Sequence, residues 1–334
     1  MKHDFHRLRA AVAGVSAAVL AVAAQAAPRY QLADLGPQTH ARGVDTRGEV
    51  VGLDANGHAA TWQAGAWTPL KLLPGGVDDS ATLRITRSGV VLSNEIDAHS
   101  QSQAVVWSPA GRPARLSDDD RLSVIGYDIA DDGTVVGLAA NGRNGQRATP
   151  FTWYRGVARP VPAAPWGTAV IPTVIDATHR LAGESVIAGQ EQLVMYADGA
   201  WTALGSLGGS ALYANQMNAH GHVVGTANLA DGTSHAFLWN GQALQDLGTL
   251  AGGSSTARGI NRQGLVVGWS AAPQADSVAF VWSDGVMQDL LAQVDGAEGW
   301  TLTSAEGVDD AGDIVGNGLV GGTPHAFLLT PVGR

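Results

Sequence analysis

Ile260-Asn261-Arg262-Gln263-Gly264-Leu265-Val266-Val267-Gly268 sets an aliphatic residue, a turn and a short aliphatic run closed by glycine in one phrase, and Val278-Ala279-Phe280-Val281-Trp282 follows it as a further apolar run. The same order recurs at Met217-Asn218-Ala219-His220-Gly221-His222-Val223-Val224-Gly225, followed by His235-Ala236-Phe237-Leu238-Trp239. Weaker copies keep the frame. Val44-Asp45 leads to Gly48 and Val50-Val51-Gly52, Ile85-Thr86 to Gly89 and Val90-Val91-Leu92, Ile129-Ala130 to Gly133 and Val135-Val136-Gly137, and Val308-Asp309 to Gly312 and Ile314-Val315-Gly316. One copy is degenerate: Ile175-Asp176 is followed by His179 where the others have glycine, and then by Leu181-Ala182-Gly183. A spacing of roughly 44 residues, built only of strand and turn signals, predicts an all-β protein, a β-propeller of seven blades.

The turns explain why each unit is a four-stranded antiparallel blade. Asn261 to Gly264 and Asp309 to Gly312 start with an Asx side chain that caps the turn and end on a glycine free to take positive φ. Asn240-Gly241, Asp284-Gly285 and Asp198-Gly199 are two-residue hairpin signals between apolar runs. The sixth unit therefore predicts strands over 257–260, 265–268, 278–282 and 286–290. Runs such as Ala236-Phe237-Leu238-Trp239 are apolar throughout, as expected of strands covered on both faces. The last unit ends at His325 to Pro331 without a fourth strand, whereas Tyr30-Gln31-Leu32-Ala33-Asp34-Leu35-Gly36 matches the fourth strand Gln242 to Gly248. The N-terminal segment is expected to close the ring; an open array, or a six-bladed ring with one irregular unit, is the alternative.

Lys2, Arg7 and Arg9 precede an uncharged Ala/Val/Leu stretch, and Ala24-Gln25-Ala26 fits a small-x-small cleavage site. Residues 1–26 are expected to be a secretory signal peptide and 27–334 a single propeller domain, exported to the periplasm or medium. Removing Lys2, Arg7, Arg9 and Asp4 from 20 basic and 30 acidic residues leaves 17 against 29, a formal charge of −12. A chain so acidic lacks the basic stripe that phosphate backbones require, so nucleic acid is not expected as a partner. No later segment predicts a membrane span, and the mature chain is expected to be a monomer. Cysteine is absent, which excludes disulfides, thiol nucleophiles and thiolate metal sites.

The phrase Asp246-Leu247-Gly248-x-Leu250-x-Gly252-Gly253, the run 260–268, and His-Ala-Phe at 235–237 and 325–327 resemble the repeats of the HAF family of probable extracellular repeat proteins. The resemblance covers nearly the whole mature chain and is sharpest in the fifth to seventh units. Units two to four replace His-Ala-Phe with Gln103-Ala104-Val105, Thr149-Pro150-Phe151 and Gln192-Leu193-Val194. It implies export and repeats, and it transfers no catalytic residues.

No nucleophile elbow, phosphate loop, dinucleotide fingerprint or zinc motif is present, and no cofactor or metal is expected. His58, His235 and His325 share one repeated position, as do Trp62, Trp107, Trp153, Trp239 and Trp282, so both sets belong to the framework. Asp131-Asp132 and Asp309-Asp310 fall in first-hairpin turns. Asp78-Asp79 and Asp118-Asp119-Asp120 fall between units, as solvated clusters or as calcium ligands. Trp166, Trp269 and Trp300 are the tryptophans the repeat does not demand. With those loop acids, and beside Glu95, Asp97, His99, Arg143 and Arg147, they mark the variable-loop face as the binding surface. The sequence thus predicts an exported binding protein without catalysis, its ligand a carbohydrate, peptide or partner protein. The alternatives are a secreted polysaccharide hydrolase or lyase using loop carboxylates and a structural module of the envelope.

Overall fold

The computed structural model describes residues 29–73, 77–119, 121–141, 148–272 and 275–333; the expected signal peptide lies outside them. Apart from one short 3-10 turn at Leu291–Gln293, the regular structure of these residues is all β. Strands His40–Val44, Val50–Leu53, Ala59–Gln63 and Ala66–Pro69 form one antiparallel sheet, and each later unit repeats the order. A parallel bridge from Val124 to Gln103 joins the second and third units into one eight-stranded sheet. The last unit, Trp300–Val308, Ile314–Val320 and Thr323–Pro331, receives Tyr30–Pro37 as its fourth strand, antiparallel, with Leu32 opposite Leu329.

The apolar runs are buried from both sides, as their composition demands. Val223 packs with Val174, Ala182 and Leu193 of the preceding unit, while its neighbour Val224 packs with Ala257, Val266 and Phe280 of the following one. Alternation along a strand therefore sends successive valines to different neighbours. Every hydrophobic cluster lies between consecutive units. One of them joins Val315, Ala326 and Leu328 of the last unit to Ala41 and Val50 of the first, with Leu35.

The terminal strand reproduces the contacts of an internal fourth strand. His235 Nδ1 lies 2.9 Å from Asp246, and His325 Nδ1 lies 2.8 Å from Asp34. Ser255 Oγ donates to the Gly248 carbonyl, and Thr39 Oγ1 donates to that of Gly36. The His-Ala-Phe and Asp-Leu-Gly phrases are thus two halves of one contact. His58 occupies the same strand position and has Asp54 as its neighbour instead, at 3.8 Å.

The glycine closing each aliphatic run has a steric cause. The inner strands carry a bulge at Arg42, Tyr127, Thr173, Asn215, Arg258 and Glu306, where register shifts by one residue. The bulge turns a carbonyl onto the second strand, so that a Cβ on Gly52, Gly225 or Gly268 would stand 2.0 Å from that oxygen. The second unit corrects the sequence alignment. Ile85 pairs with Val91, Arg84 with Leu92 and Leu83 with Ser93, so the run is Val91-Leu92-Ser93 rather than Val90-Val91-Leu92. Ser93 stands at the glycine position, and in this unit the register shift of the inner strand lies on its other side, between Asp79 and Leu83. In the degenerate unit His179 adopts φ 64°, the conformation that glycine takes in the other turns.

Candidate functional site

The inner strands converge on an axial void. Their turn ends surround a space of about 120 Å³ whose lining comes from every unit, including Thr46, Arg87, Asp131, Asn218 and Asp310. A contiguous space of about 160 Å³ lies further along, lined by Arg42, Arg84, Asn215, Gln216, Arg258 and Glu306. Most of these are bulge residues, which the irregular backbone re-aims.

Many of the turn residues stitch neighbouring units. Asp45, Asp176, Asn218 and Asp309 each accept two amides of their own turn through Oδ1. Asn218 Nδ2 then donates to the Asn261 carbonyl, Asn261 Nδ2 to that of Asp309, and Arg180 to that of Ala219. The acidic pairs in these turns serve the same end. Asp131 accepts the Arg87 amide, Asp310 accepts the Arg262 amide, and Arg87 reaches Asp310 at 3.0 Å.

Two buried carboxylates, Asp128 beside the void and Glu184 on a second strand, have their pKa raised by burial. Burial pushes Glu184 up to about 7, although the Ala214 amide donates to it at 2.8 Å. Burial pushes Asp128 up to about 6 against the pull of Arg84, while its Oδ2 accepts the Ile175 amide at 3.0 Å. Each is anchored to the inner strand of the next unit. Asn94 and Asn317 do the same at the position of Glu184, bonding the main chain at Gly126 and Ala41.

The three tryptophans set apart by the sequence are all half-buried. Trp166 donates from Nε1 to Ser185 Oγ at 2.9 Å and packs on the core between the third and fourth units. Trp300 meets His325 and Phe327 edge-on, with centroids 5.7 and 6.3 Å away. Trp269, paired with Thr256 and Ala279, stands directly after the closing glycine, the position of Asn94, Glu184 and Asn317, so the repeat does account for its place. Asp118 and Asp119 are exposed, and Asp119 accepts the Arg121 amide. Asp78 and Asp79 do not lie in a loop between units as the sequence suggested; they belong to the strand Val77–Ile85, where their backbones pair with Glu95 and Asn94. Asp120, Arg143 and Arg147 lie outside the described residues. Glu95 is buried and accepts the Leu73 amide. Asp97 organises its own turn; burial opposes its ionisation, but amide donors from Gln101 and His99 outweigh that and hold it below the usual range. Among the described residues, no group of three or more His, Asp or Glu has metal-binding geometry, and no helix is long and apolar enough to cross a membrane.

Sequence reasoning missed Arg42, Arg84, Arg258 and Tyr213. The first three line the void, and Tyr213, 60% exposed, stands on the inner strand Gly208–Met217. A signal existed for Arg42 and Arg258, though not for Arg84. The residue two before the aliphatic-Asx pair varies from unit to unit, through Arg42, Tyr127, Thr173, Asn215, Arg258 and Glu306, within an otherwise regular frame.

No family model matches the chain, and no curated protein matches it. The likeness to HAF repeats rests on the quoted phrases. Among solved structures, YCF48 bound to D1 peptide superposes with TM-score 0.52 at 11% identity, over 93% of this chain and 97% of that one. An acylaminoacyl peptidase from Pyrococcus horikoshii gives TM-score 0.51 at 12% identity, over 76% of this chain and 45% of that one. TolB from Acinetobacter baumannii gives 0.47 at 11% identity; the match spans 87% of this chain and 63% of TolB. The structural neighbours are β-propeller proteins, and the chain has a propeller-like repeat fold of four-stranded antiparallel sheets.

Proposed function

We propose that this chain is an exported, non-enzymatic binding protein: a seven-bladed β-propeller of the HAF-repeat kind, closed by Tyr30–Pro37, with residues 1–26 as a cleaved signal peptide. Closure is supported by the pairing of that strand with Thr323–Pro331 and by the apolar cluster joining the last unit to the first. One observation carries the binding reading. The carboxylates with raised pKa, Asp128 and Glu184, are each anchored to a backbone amide of the next unit. A general acid must reach its substrate, and these two hold the frame together. The competing reading, a polysaccharide hydrolase or lyase, draws on the same two raised values, since a carboxyl tuned toward neutrality is what acid catalysis uses.

The binding surface is the variable-loop face, with Trp166, Trp269 and Trp300 as aromatic contacts and Asp78, Asp79 and Asp118 to Asp120 as polar ones, for a carbohydrate, peptide or protein ligand. A glycan and polysaccharide array identifies a ligand, and the triple change of the tryptophans to Ala tests the surface. The expected result is lost binding by a protein that still folds, its melting temperature lowered by the packing that Trp166 and Trp300 give up. Retained binding with a lowered melting temperature would return the tryptophans to the framework, and turnover of an array polysaccharide would favour the enzyme.

A further inference from the structure

We propose that the axial void beside Arg42, Arg84 and Arg258 is a binding site for a small organic carboxylate. Three guanidinium groups from three inner strands line the space, and their protein partners leave them under-used. Arg84 Nε stands 3.8 Å from Asp128, and Arg258 Nε stands 3.9 Å from Glu306, both beyond hydrogen-bonding distance. The nearer oxygen of neither carboxylate closes a bidentate pair, and the other oxygen of Asp128 is taken by the Ile175 amide. Arg42 forms no hydrogen bond or ion pair among the described residues. His40 is held below its usual range by burial and by the charge of Arg42, with Glu306 pulling the other way.

Charge and size fix the ligand class. Three guanidiniums against Asp128 and Glu306 leave one positive charge for an incoming anion to neutralise. A carboxylate supplies that charge on two coplanar oxygens, matching the guanidinium fork. Phosphate brings more charge than the site can neutralise and places it against Glu306. A space of about 160 Å³ is roughly five water volumes, room for one small organic acid. The acidic surface of the whole protein does not prevent this, because salt screens charges beyond about 8 Å at physiological ionic strength.

The inference deepens the binding reading above and is separable from it. Isothermal titration of the purified protein with L-lactate, glycerol and inorganic phosphate tests it, alongside Arg42→Gln, Arg258→Gln and the surface control Arg112→Gln. Lactate is expected to bind one to one, glycerol not at all and phosphate more weakly. Arg42→Gln and Arg258→Gln should each weaken lactate at least tenfold, and Arg112→Gln should leave it unchanged. Arg42→Gln should melt with the parent, since Arg42 has no partner to lose, so weakened binding cannot be ascribed to misfolding. Absence of lactate binding, undiminished binding in both variants, or phosphate binding as tightly as lactate would each overturn the proposal. An array ligand that still binds Arg42→Gln would leave the loop-face reading standing while showing that its recognition does not use this site.

Discussion

At the residue scale, the glycine after each aliphatic pair is fixed by its neighbour's backbone and not by its own flexibility. The Cβ of Gly268→Ala would lie 2.0 Å from the Thr256 carbonyl and 2.9 Å from the Phe280 ring, and neither can retreat within a packed sheet. The variant should lose at least about 1–3 kcal/mol, the usual cost of overpacking, read as a lowered urea midpoint. Ser93 offers the internal comparison, because in its unit the register shift lies on the other side of that position, between Asp79 and Leu83, and its hydroxyl accepts the Trp107 indole donor at 2.8 Å. Ser93→Gly should therefore fail to stabilise, as it strands that buried indole. The glycines were legible in the sequence as punctuation. The bulge that makes them obligatory was not, because an extra residue in a strand leaves no compositional trace when its side chain can be Arg, Tyr, Thr, Asn or Glu.

At the scale of elements, the fourth strand of the last unit is the informative one. The sequence showed it through the match of Asp34-Leu35-Gly36 to Asp246-Leu247-Gly248, and the paired contacts of His325 and His235 give that match its physical content. Deleting residues 28–36 would bare the backbone of Thr323–Pro331, remove Leu35 from the cluster with Val315 and Ala326, and remove Tyr30 from the core. The truncated protein should aggregate or melt many degrees lower. Tyr30→Phe separates pairing from side-chain chemistry. The buried Tyr30 hydroxyl has no hydrogen-bond partner, and burial, with Asp313 nearby, pushes its pKa up to about 12. Losing only that hydroxyl should leave the melting temperature unchanged or raised, whereas a fall would show that the hydroxyl is satisfied in solution. The tryptophans were less legible. A half-buried Trp packing its own loop and an exposed one awaiting a ligand have the same letter and the same local spacing.

At the scale of the molecule, the inter-unit carboxylates make stability depend on pH. Glu184 moves from an ordinary 4.5 up to about 7, and Asp128 from 3.8 up to about 6, both through burial. Between the unfolded and folded values the native state holds protons that the unfolded chain has released. Stability is therefore present at the lower pH and is lost as pH rises through about 6 to 7. Asp97 and Asp132 act oppositely. Their donors hold them low despite burial, so they stabilise above the unfolded value and lose that effect as pH falls below it. The melting temperature should accordingly peak near pH 4, where the two effects cross, and decline to a plateau above about pH 7. Glu184→Gln should flatten the alkaline limb by on the order of 2–3 kcal/mol; a limb of unchanged slope would show that Glu184 ionises freely. None of this was readable beforehand. Glu184 sits in an unremarkable Leu-Ala-Gly-Glu phrase, and its burial depends on a unit that begins some thirty residues later.

The pairing of Leu32 with Leu329 also orders events in time. A chain made from its N-terminus produces Tyr30–Pro37 before any other strand of the fold, and that strand acquires its antiparallel partner after every other unit has been made. Until then its backbone and the apolar side of the first unit stay open to foreign strands. Contacts this distant in sequence also form slowly. The interval between first synthesis and final pairing is thus the period in which this protein is most exposed to misassembly.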